Sequence, residues 1–337
     1  GSIDSIDHGA CIVNIKKTEK SKDIHPVCIH EKDVIQIDEL ANALANIALT
    51  IVEEGFDSMS YRAAKDLLMQ RRPRLTDAHE GSLLKSGENV VHGSIRIAAQ
   101  MRSTVLGIQG PPGSGKTHTG AMMILRLAQE GKRIGVTATS HKVILNLFSK
   151  VRELSRDYNS PVSLIHKAKD EDEMPPGIEK AKNGKKALDA LNDGKVVGGT
   201  AWLWASKDAR ETLDYLFVEE AGQMSLAHVL AASGSAKNLI LLGDPQQLEQ
   251  PQKASHPEGA DVAALLHLLD GHATMPDDKG IFLSVTRRLN PRITSFTSEV
   301  FYEGRLRSLP GLEKQTISGN TPFFGAGLFY VPVEHYG

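Results

Sequence analysis

Gly110-Pro111-Pro112-Gly113-Ser114-Gly115-Lys116-Thr117 is the segment of this chain with the clearest chemical signature. Its spacing is G-x-x-x-x-G-K-[ST]. The glycines let backbone N–H groups converge on phosphate oxygens without interference from Cβ atoms. In such a loop Lys116 reaches the β- and γ-phosphates and the Thr117 hydroxyl binds Mg²⁺. The apolar stretch Val105-Leu106-Gly107-Ile108 predicts a strand before the loop, and a helix is expected from Thr117 to Gln129. The loop therefore opens a helix, whose positive dipole end favours anions. The motif specifies a nucleoside triphosphate but not its use.

Two carboxylates have the chemistry to complete such a site. Leu216-Phe217-Val218 reads as an apolar strand ending in Glu219-Glu220. Acids at the C-terminal edge of a parallel strand lie beside the phosphate loop in this architecture. One is expected to hold the Mg²⁺ water shell, the other to orient or deprotonate an attacking water. Farther along, Gly243-Asp244-Pro245-Gln246-Gln247-Leu248 follows another apolar run. Gln247 there can donate to a phosphate oxygen and accept from water; taken alone, this loop is equally an Asp-Pro turn.

The elements that must position these residues alternate between strand and helix from about residue 90. Further strands are expected over Arg133 to Thr137, Tyr215 to Val218 and Leu239 to Leu242, with a helix over Met224 to Ala232. Short continuous apolar strands between helices predict a parallel sheet covered on both faces. Before residue 90 the pattern is weaker. Cys11 to Ile15 and Pro26 to Ile29 read as short strands. Leu40, Leu44, Ile47 and Ile51 follow helical spacing behind Asp38, and a second helix is expected between Ser60 and Gln70, stopped by Pro73. Lys167 to Lys186 is rich in charge, contains Pro175-Pro176-Gly177, and reads as a solvated insertion. The sharper alternative is an accessory subdomain touching single-stranded nucleic acid.

Lys and Arg total 39 against 41 Asp and Glu, so no basic excess announces nucleic acid and any such binding must come from a local groove. With only Cys11 and Cys28, a disulfide framework and a four-cysteine zinc site are excluded. Free thiols in a reducing, cytoplasmic compartment are expected. No apolar run reaches the roughly 18–20 residues that span a bilayer, so no membrane partner is expected. Gly1-Ser2-Ile3-Asp4 lacks the basic flank and apolar stretch of a signal peptide.

Taken together these residues resemble superfamily-1 helicases, the branch that includes nonsense-mediated-decay and Okazaki-fragment helicases. Residues 110–117 look like motif I, Val136 to His141 like motif Ia, and Gly199 to Trp202 like motif Ic. Glu219 to Gln223 looks like motif II, 243–248 like motif III, and Arg288 to Pro291 with Phe296 to Leu306 like motif IV and its helix. The phrases at 199–203, 220–227 and 246–253 are similar to the helicase half of bacterial RecB-like nuclease–helicase fusions. The resemblance covers about residues 95–335.

This resemblance implies a RecA-like α/β domain over 91–291 with an insertion near 155–195. A mainly helical extension over 1–90 precedes it, and the start of a second RecA-like domain over 292–337 follows. It implies ATP and Mg²⁺ as ligands, Glu220 as catalytic base, Gln223 and Gln247 as γ-phosphate couplers, and Arg288 as a γ-phosphate contact. Ser140, His141 and Thr200 would lie near a nucleic-acid backbone, with ordinary loop capping as the alternative. It further implies 5′ to 3′ travel on single strands, DNA over RNA, and a nuclease domain elsewhere in the parent protein.

Three departures stand out. The family's motif II begins with Asp, here Glu219, and Mg²⁺ demands tight octahedral geometry. The position before the motif IV arginine is ordinarily aromatic and stacks near the base; here it is Arg287, whose guanidinium can also stack. Only about 45 residues follow Pro291, fewer than the roughly 100–150 of an ordinary domain. These residues are therefore expected to bind ATP–Mg²⁺ with little turnover. A nucleotide-gated clamp with weak hydrolysis is the competing reading.

Overall fold

The computed structural model describes residues 2–7, 9–10, 12–25, 36–77, 80–168, 172–247, 259, 262–320 and 322–334. Cys11, Cys28, the strand expected at Pro26 to Ile29, and Leu248 with the phrase that follows it lie outside the described residues. The chain divides into two compact units, 1–37 and 38–337.

The first unit is a hairpin of β1 (Ser2–Asp7) and β2 (Ile12–Lys16), paired antiparallel.

The second unit begins with α1 (Asp38–Glu54), α2 (Arg62–Leu68) and α3 (Val90–Gln100). There follow β3 (Val105–Gln109), α4 (Lys116–Gln129), β4 (Ile134–Thr137), α5 (His141–Asp157), β5 (Leu164–Lys167) and β6 (Ile178–Ala181). Next are α6 (Gly184–Asp189), β7 (Val196–Gly198), α7 (Ala201–Ala205), β8 (Leu213–Glu219), α8 (Leu226–Ser233) and β9 (Ala236–Gly243). The unit closes with α9 (Ala264–Leu269), β10 (Gly280–Phe282), β11 (Val285–Thr286), α10 (Pro291–Phe301) and β12 (Arg307–Ser308).

Eight strands form one parallel sheet in the order β10-β3-β9-β8-β4-β7-β5-β6. The fold is the expected α/β P-loop architecture, with helices flanking the sheet. The central strands are buried along nearly their whole length, as strands covered on both faces must be. One apolar layer joins Leu216, Val218, Leu239 and Leu241 to Leu40 and Ile47 of α1 and Ala63, Ala64 and Leu67 of α2. The N-terminal helices thus share the core of the sheet. The opposite layer gathers Leu106, Ile108, Phe217, Ile240 and Leu242 under Ile124 and Leu127 of α4 and Leu147, Phe148 and Val151 of α5.

The charged segment after Lys167 differs from the solvated insertion expected of it. It supplies β6, which pairs with β5, and β5 pairs with β7, so the region extends the main sheet to its edge. Ile178, Ala181 and Ala187 are buried there while Glu179 and Lys180 are not. A few apolar residues at strand and helix spacing hold the segment down despite its high charge.

Beneath the opposite end of β3, α2 is fastened by charge. Asp66 is fully buried and accepts from the Thr104 hydroxyl at 2.8 Å and from Arg74 at 2.7 Å, with Arg62 at 3.6 Å. A buried carboxylate is tolerated when its oxygens are filled in this way.

Candidate functional site

Parallel strands end together, so register decides what shares the C-terminal edge of the sheet. Gln109 of β3 is opposite Gly243 of β9, and Leu242 of β9 is opposite Glu219 of β8. The loop after β3 is therefore flanked by the loop after β9, with the β8 carboxylates one strand farther. Gly110 N–H donates to Gly243 O at 2.9 Å, and Ala221 N–H donates to Leu242 O at 2.8 Å, tying the three strand ends together.

The phosphate loop needs glycine at two kinds of position. Gly115 has φ +94°, a left-handed conformation unfavourable for residues with a Cβ. At Gly113, φ is +75° and an added Cβ would lie 2.4 Å from the Arg288 Cβ. That contact exists because the segment after β11 lies on the loop. The Thr286 hydroxyl donates to Pro112 O at 2.8 Å, Arg287 N–H to Gly113 O at 2.9 Å, and Arg288 N–H to Thr286 Oγ1 at 3.2 Å. Pro111 O accepts from Ser114 N–H, closing the turn.

Lys116 folds back over the loop, its Nζ donating to Gly110 O at 2.6 Å. The Thr117 hydroxyl donates to Glu219 Oε1 at 3.1 Å. Glu219 is buried, and its Oε2 has no partner among the described residues. Burial first, and the neighbouring Glu220 charge second, push the Glu219 carboxyl up to about 7, against the opposing pull of Lys116 and the Thr117 hydroxyl. A buried hydroxyl–carboxylate pair with an orphaned oxygen suits a divalent cation, which would restore the ionised form. Among the described residues no group of three or more His, Cys, Asp or Glu side chains forms a metal cage. Mg²⁺ commonly needs only one or two protein oxygens beside water and phosphate.

Glu220 is half-buried and has φ +56°, unusual for a residue with a side chain. Its carbonyl accepts from Gln223 N–H at 2.8 Å and Met224 N–H at 3.1 Å, the turn that delivers the chain to Ser225, the cap of α8. Backbone strain of this kind is characteristic of functional sites.

In the loop after β9, Gln247 Nε2 donates to Asp244 Oδ2 at 3.2 Å. The same oxygen accepts the Tyr302 hydroxyl at 2.8 Å, while Gln246 N–H reaches Oδ1 at 3.3 Å. Asp244 is buried, and burial and this carboxylate together hold the Tyr302 hydroxyl far above its ordinary pKa. Tyr302 follows α10, so the end of that helix holds the loop carrying Gln247. Sequence reasoning missed this pair, because 58 residues separate its members and only the turn after α10 brings them together. It also missed Gln109, fully buried, whose Oε1 accepts from Met275 N–H at 2.7 Å and whose Nε2 donates to Ala273 O at 3.1 Å.

Arg287 and Arg288 diverge. The Arg287 Nη1 donates to Ser114 O at 3.3 Å. Arg288 lines a cavity of about 350 Å³ with Asn290, Ile293, Gln315, Ile317 and Phe329.

Ser140, His141 and Thr200 come together at the ends of β4 and β7, which pair through Val136 and Gly198. Ser140 caps α5, accepting from Val143 N–H at 3.4 Å. His141 Nδ1 lies 2.9 Å from Nε2 of the buried His166. Thr200 precedes α7 and makes no side-chain cap bond among the described residues. Buried Trp204 ties the two strand ends, its Nε1 donating to Val136 O at 3.1 Å and Gly199 O at 3.0 Å. β8 lies between these strand ends and β9.

Residues 94–259 match a family described as an AAA domain. The chain is 28% identical over 249 residues to the ATP-dependent helicase NAM7 of Saccharomyces cerevisiae, covering 62% of this chain and 25% of that protein. It is 26% identical over 211 residues to the DNA replication ATP-dependent helicase/nuclease DNA2 of Xenopus laevis, covering 59% and 19%. The chain thus spans about a quarter or less of the curated relatives it matches. The structure of an arterivirus nonstructural protein 10 (helicase) with DNA aligns at TM-score 0.38 and 14% identity, over 66% of this chain and 44% of that one. The chain carries a helicase-like P-loop NTPase domain distantly similar to the NAM7 and DNA2 helicases.

Proposed function

We propose that this chain is the first motor domain of an ATP-dependent helicase or translocase acting on single-stranded nucleic acid. The observation that carries the reading is one sheet edge on which the phosphate loop, the Glu219–Glu220 pair and the Gln247 loop adjoin the Ser140 and Thr200 loops.

In this reading Lys116 exchanges the Gly110 carbonyl for the β- and γ-phosphates. Thr117 and Glu219 would hold Mg²⁺, which would supply charge neutralisation to the phosphates. Glu220 takes a proton from water as the water oxygen bonds to the γ-phosphorus and the bond to the ADP oxygen breaks. Gln223 and Gln247 read the presence of the γ-phosphate. Gln247 reports it through Asp244 and Tyr302 to α10, an element that can transmit the change as motion. Arg288 reaches the γ-phosphate after turning from its cavity. The words DNA replication and nuclease in the name of the Xenopus laevis relative support DNA over RNA and a nuclease domain in the parent; 5′ to 3′ travel and a cytoplasmic protein complete the proposal.

A nucleotide-gated clamp is favoured by one observation: Glu219 stands where the family has Asp and is held near 7 by burial. Calorimetry of ATP–Mg²⁺ binding and phosphate release, with and without single-stranded DNA or RNA, separates the readings. The motor reading expects binding that Lys116→Ala abolishes, little hydrolysis by this chain alone, and hydrolysis stimulated by single strands once the chain is extended through a second motor domain. Failure of the wild-type chain to bind ATP sinks it. Binding without hydrolysis, converted to turnover by Glu219→Asp, establishes the clamp.

A further inference from the structure

We infer that Arg287 grips the phosphates of the nucleotide rather than its base, so the site accepts nucleoside triphosphates with little preference among bases. This inference rests on the nucleotide-binding role proposed above and names the ligand feature that the site reads.

The position is fixed by backbone. Arg287 N–H donates to Gly113 O, and the preceding Thr286 hydroxyl donates to Pro112 O, so the residue is tied to the phosphate loop through its own N–H and through its preceding neighbour. Its guanidinium then runs along the loop. Nη1 lies 3.3 Å from Ser114 O and 3.3 Å from where a Cβ on Gly115 would be. Gly115 immediately precedes α4, so the charge sits beside the helix N-terminus that phosphate would approach. His118, in the first turn of α4, senses it. Burial lowers the His118 pKa most, followed by the charges of Lys150 and Arg287.

Among the described residues the guanidinium makes one hydrogen bond. That bond is to a carbonyl, and no carboxylate pairs with it among the described residues, although the buried arginine-rich network around Asp66 shows that such pairs form readily in this fold. Arg287 is exposed, so the remaining donors face solvent. A guanidinium has five donors in a rigid fork suited to phosphate oxygens. Among the described residues Lys116 likewise holds only a backbone carbonyl through its ammonium group. Two cations resting on carbonyls at one glycine loop keep charged donors available where phosphate would bind. An aromatic ring at position 287 would offer a flat face to a base. A guanidinium tethered to Ser114 offers charge to whatever phosphate occupies the loop, and every nucleotide has the same phosphates.

The test measures Mg²⁺-dependent binding of ATP, GTP and inorganic tripolyphosphate by calorimetry for the wild type, Arg287→Ala, Arg287→Lys and Arg287→Tyr. Tripolyphosphate has the charge and no base. The wild type is expected to bind ATP and GTP within a few-fold of each other. Arg287→Ala is expected to weaken all three ligands by a similar factor of about tenfold or more, the loss of a charge-assisted contact. Arg287→Lys retains part of the affinity, and Arg287→Tyr does not rescue tripolyphosphate. Loss of ATP affinity with tripolyphosphate unchanged overturns the inference in favour of base stacking. Unchanged affinity for all three overturns it too, leaving Arg287 as a brace for Ser114. If the wild type binds none of the ligands, the nucleotide-binding reading itself fails, an outcome distinct from either.

Discussion

The two ends of β3 are built on opposite principles. At its start, Thr104, Asp66 and Arg74 satisfy one another, and Arg74 also donates to the Ser103 carbonyl. At its end, Lys116 and Arg287 rest on carbonyls, Glu219 keeps one oxygen unpartnered among the described residues, and Glu220 holds a left-handed backbone. One strand thus joins a cluster whose carboxylate is filled from within to one whose carboxylate keeps an open oxygen. A cluster whose hydrogen bonds are filled from within contributes rigidity. One left incomplete is poised to be completed by a ligand, and the fold tolerates its strain because the other end is secured.

Breaking the filled end should have the largest effect. Asp66→Ala strands Arg74 and the Thr104 hydroxyl and is expected to destabilise the protein by about 3–5 kcal/mol in denaturant unfolding. ATP binding by the molecules still folded should persist. If Asp66→Ala left stability unchanged, the contrast between the two ends would be lost. Lys116→Ala makes the complementary cut. Phosphate release by the chain extended through a second motor domain should fall by about 10²–10³-fold, comparable to removing one charge-stabilising donor elsewhere, while the unfolding midpoint of the nucleotide-free protein stays close to wild type.

A third measurement sharpens the contrast at the β4–β7 edge. Burial first, and the His141 charge second, lower the His166 pKa to about 4, below its ordinary 6.5. The folded state resists a proton that the unfolded chain takes up, so stability is full above about 6.5 and declines as pH falls toward 4. The span corresponds to about 3 kcal/mol at most. Denaturant unfolding from pH 7.5 to 4.5 should show this slope, and His166→Gln should flatten it; an equal slope in the variant assigns the effect elsewhere.

Tyr302→Phe should have the smallest effect. Removing one hydroxyl from Asp244 is expected to cost about 1–2 kcal/mol of stability. If the pair holds the Gln247 loop for turnover, kcat should drop while KM for ATP changes little. Equal losses in binding and turnover would return Tyr302 to a purely structural role.

The residues proposed to bind and cleave phosphate were legible because their chemistry is local. The phosphate loop is eight consecutive residues, and Glu219-Glu220 and Gly243 to Gln247 each follow an apolar strand whose type its own residues declare. Period and composition place such loops at strand ends, and a parallel sheet aligns those ends. What tertiary structure alone decided is pairing across distance and the direction of long side chains. Nothing near Asp244 in sequence indicates Tyr302, and nothing near His141 indicates His166. The charge of 167–186 concealed two buried apolar positions of β6, because composition averages over residues that a strand separates onto faces. Arg287 and Arg288 are adjacent and identical in type, yet one lies along the phosphate loop and the other lines a cavity beside Ile317 and Phe329. Their types and order were written in the chain, but the direction of each guanidinium depended on the docking of Thr286 onto Pro112, a contact between segments 174 residues apart.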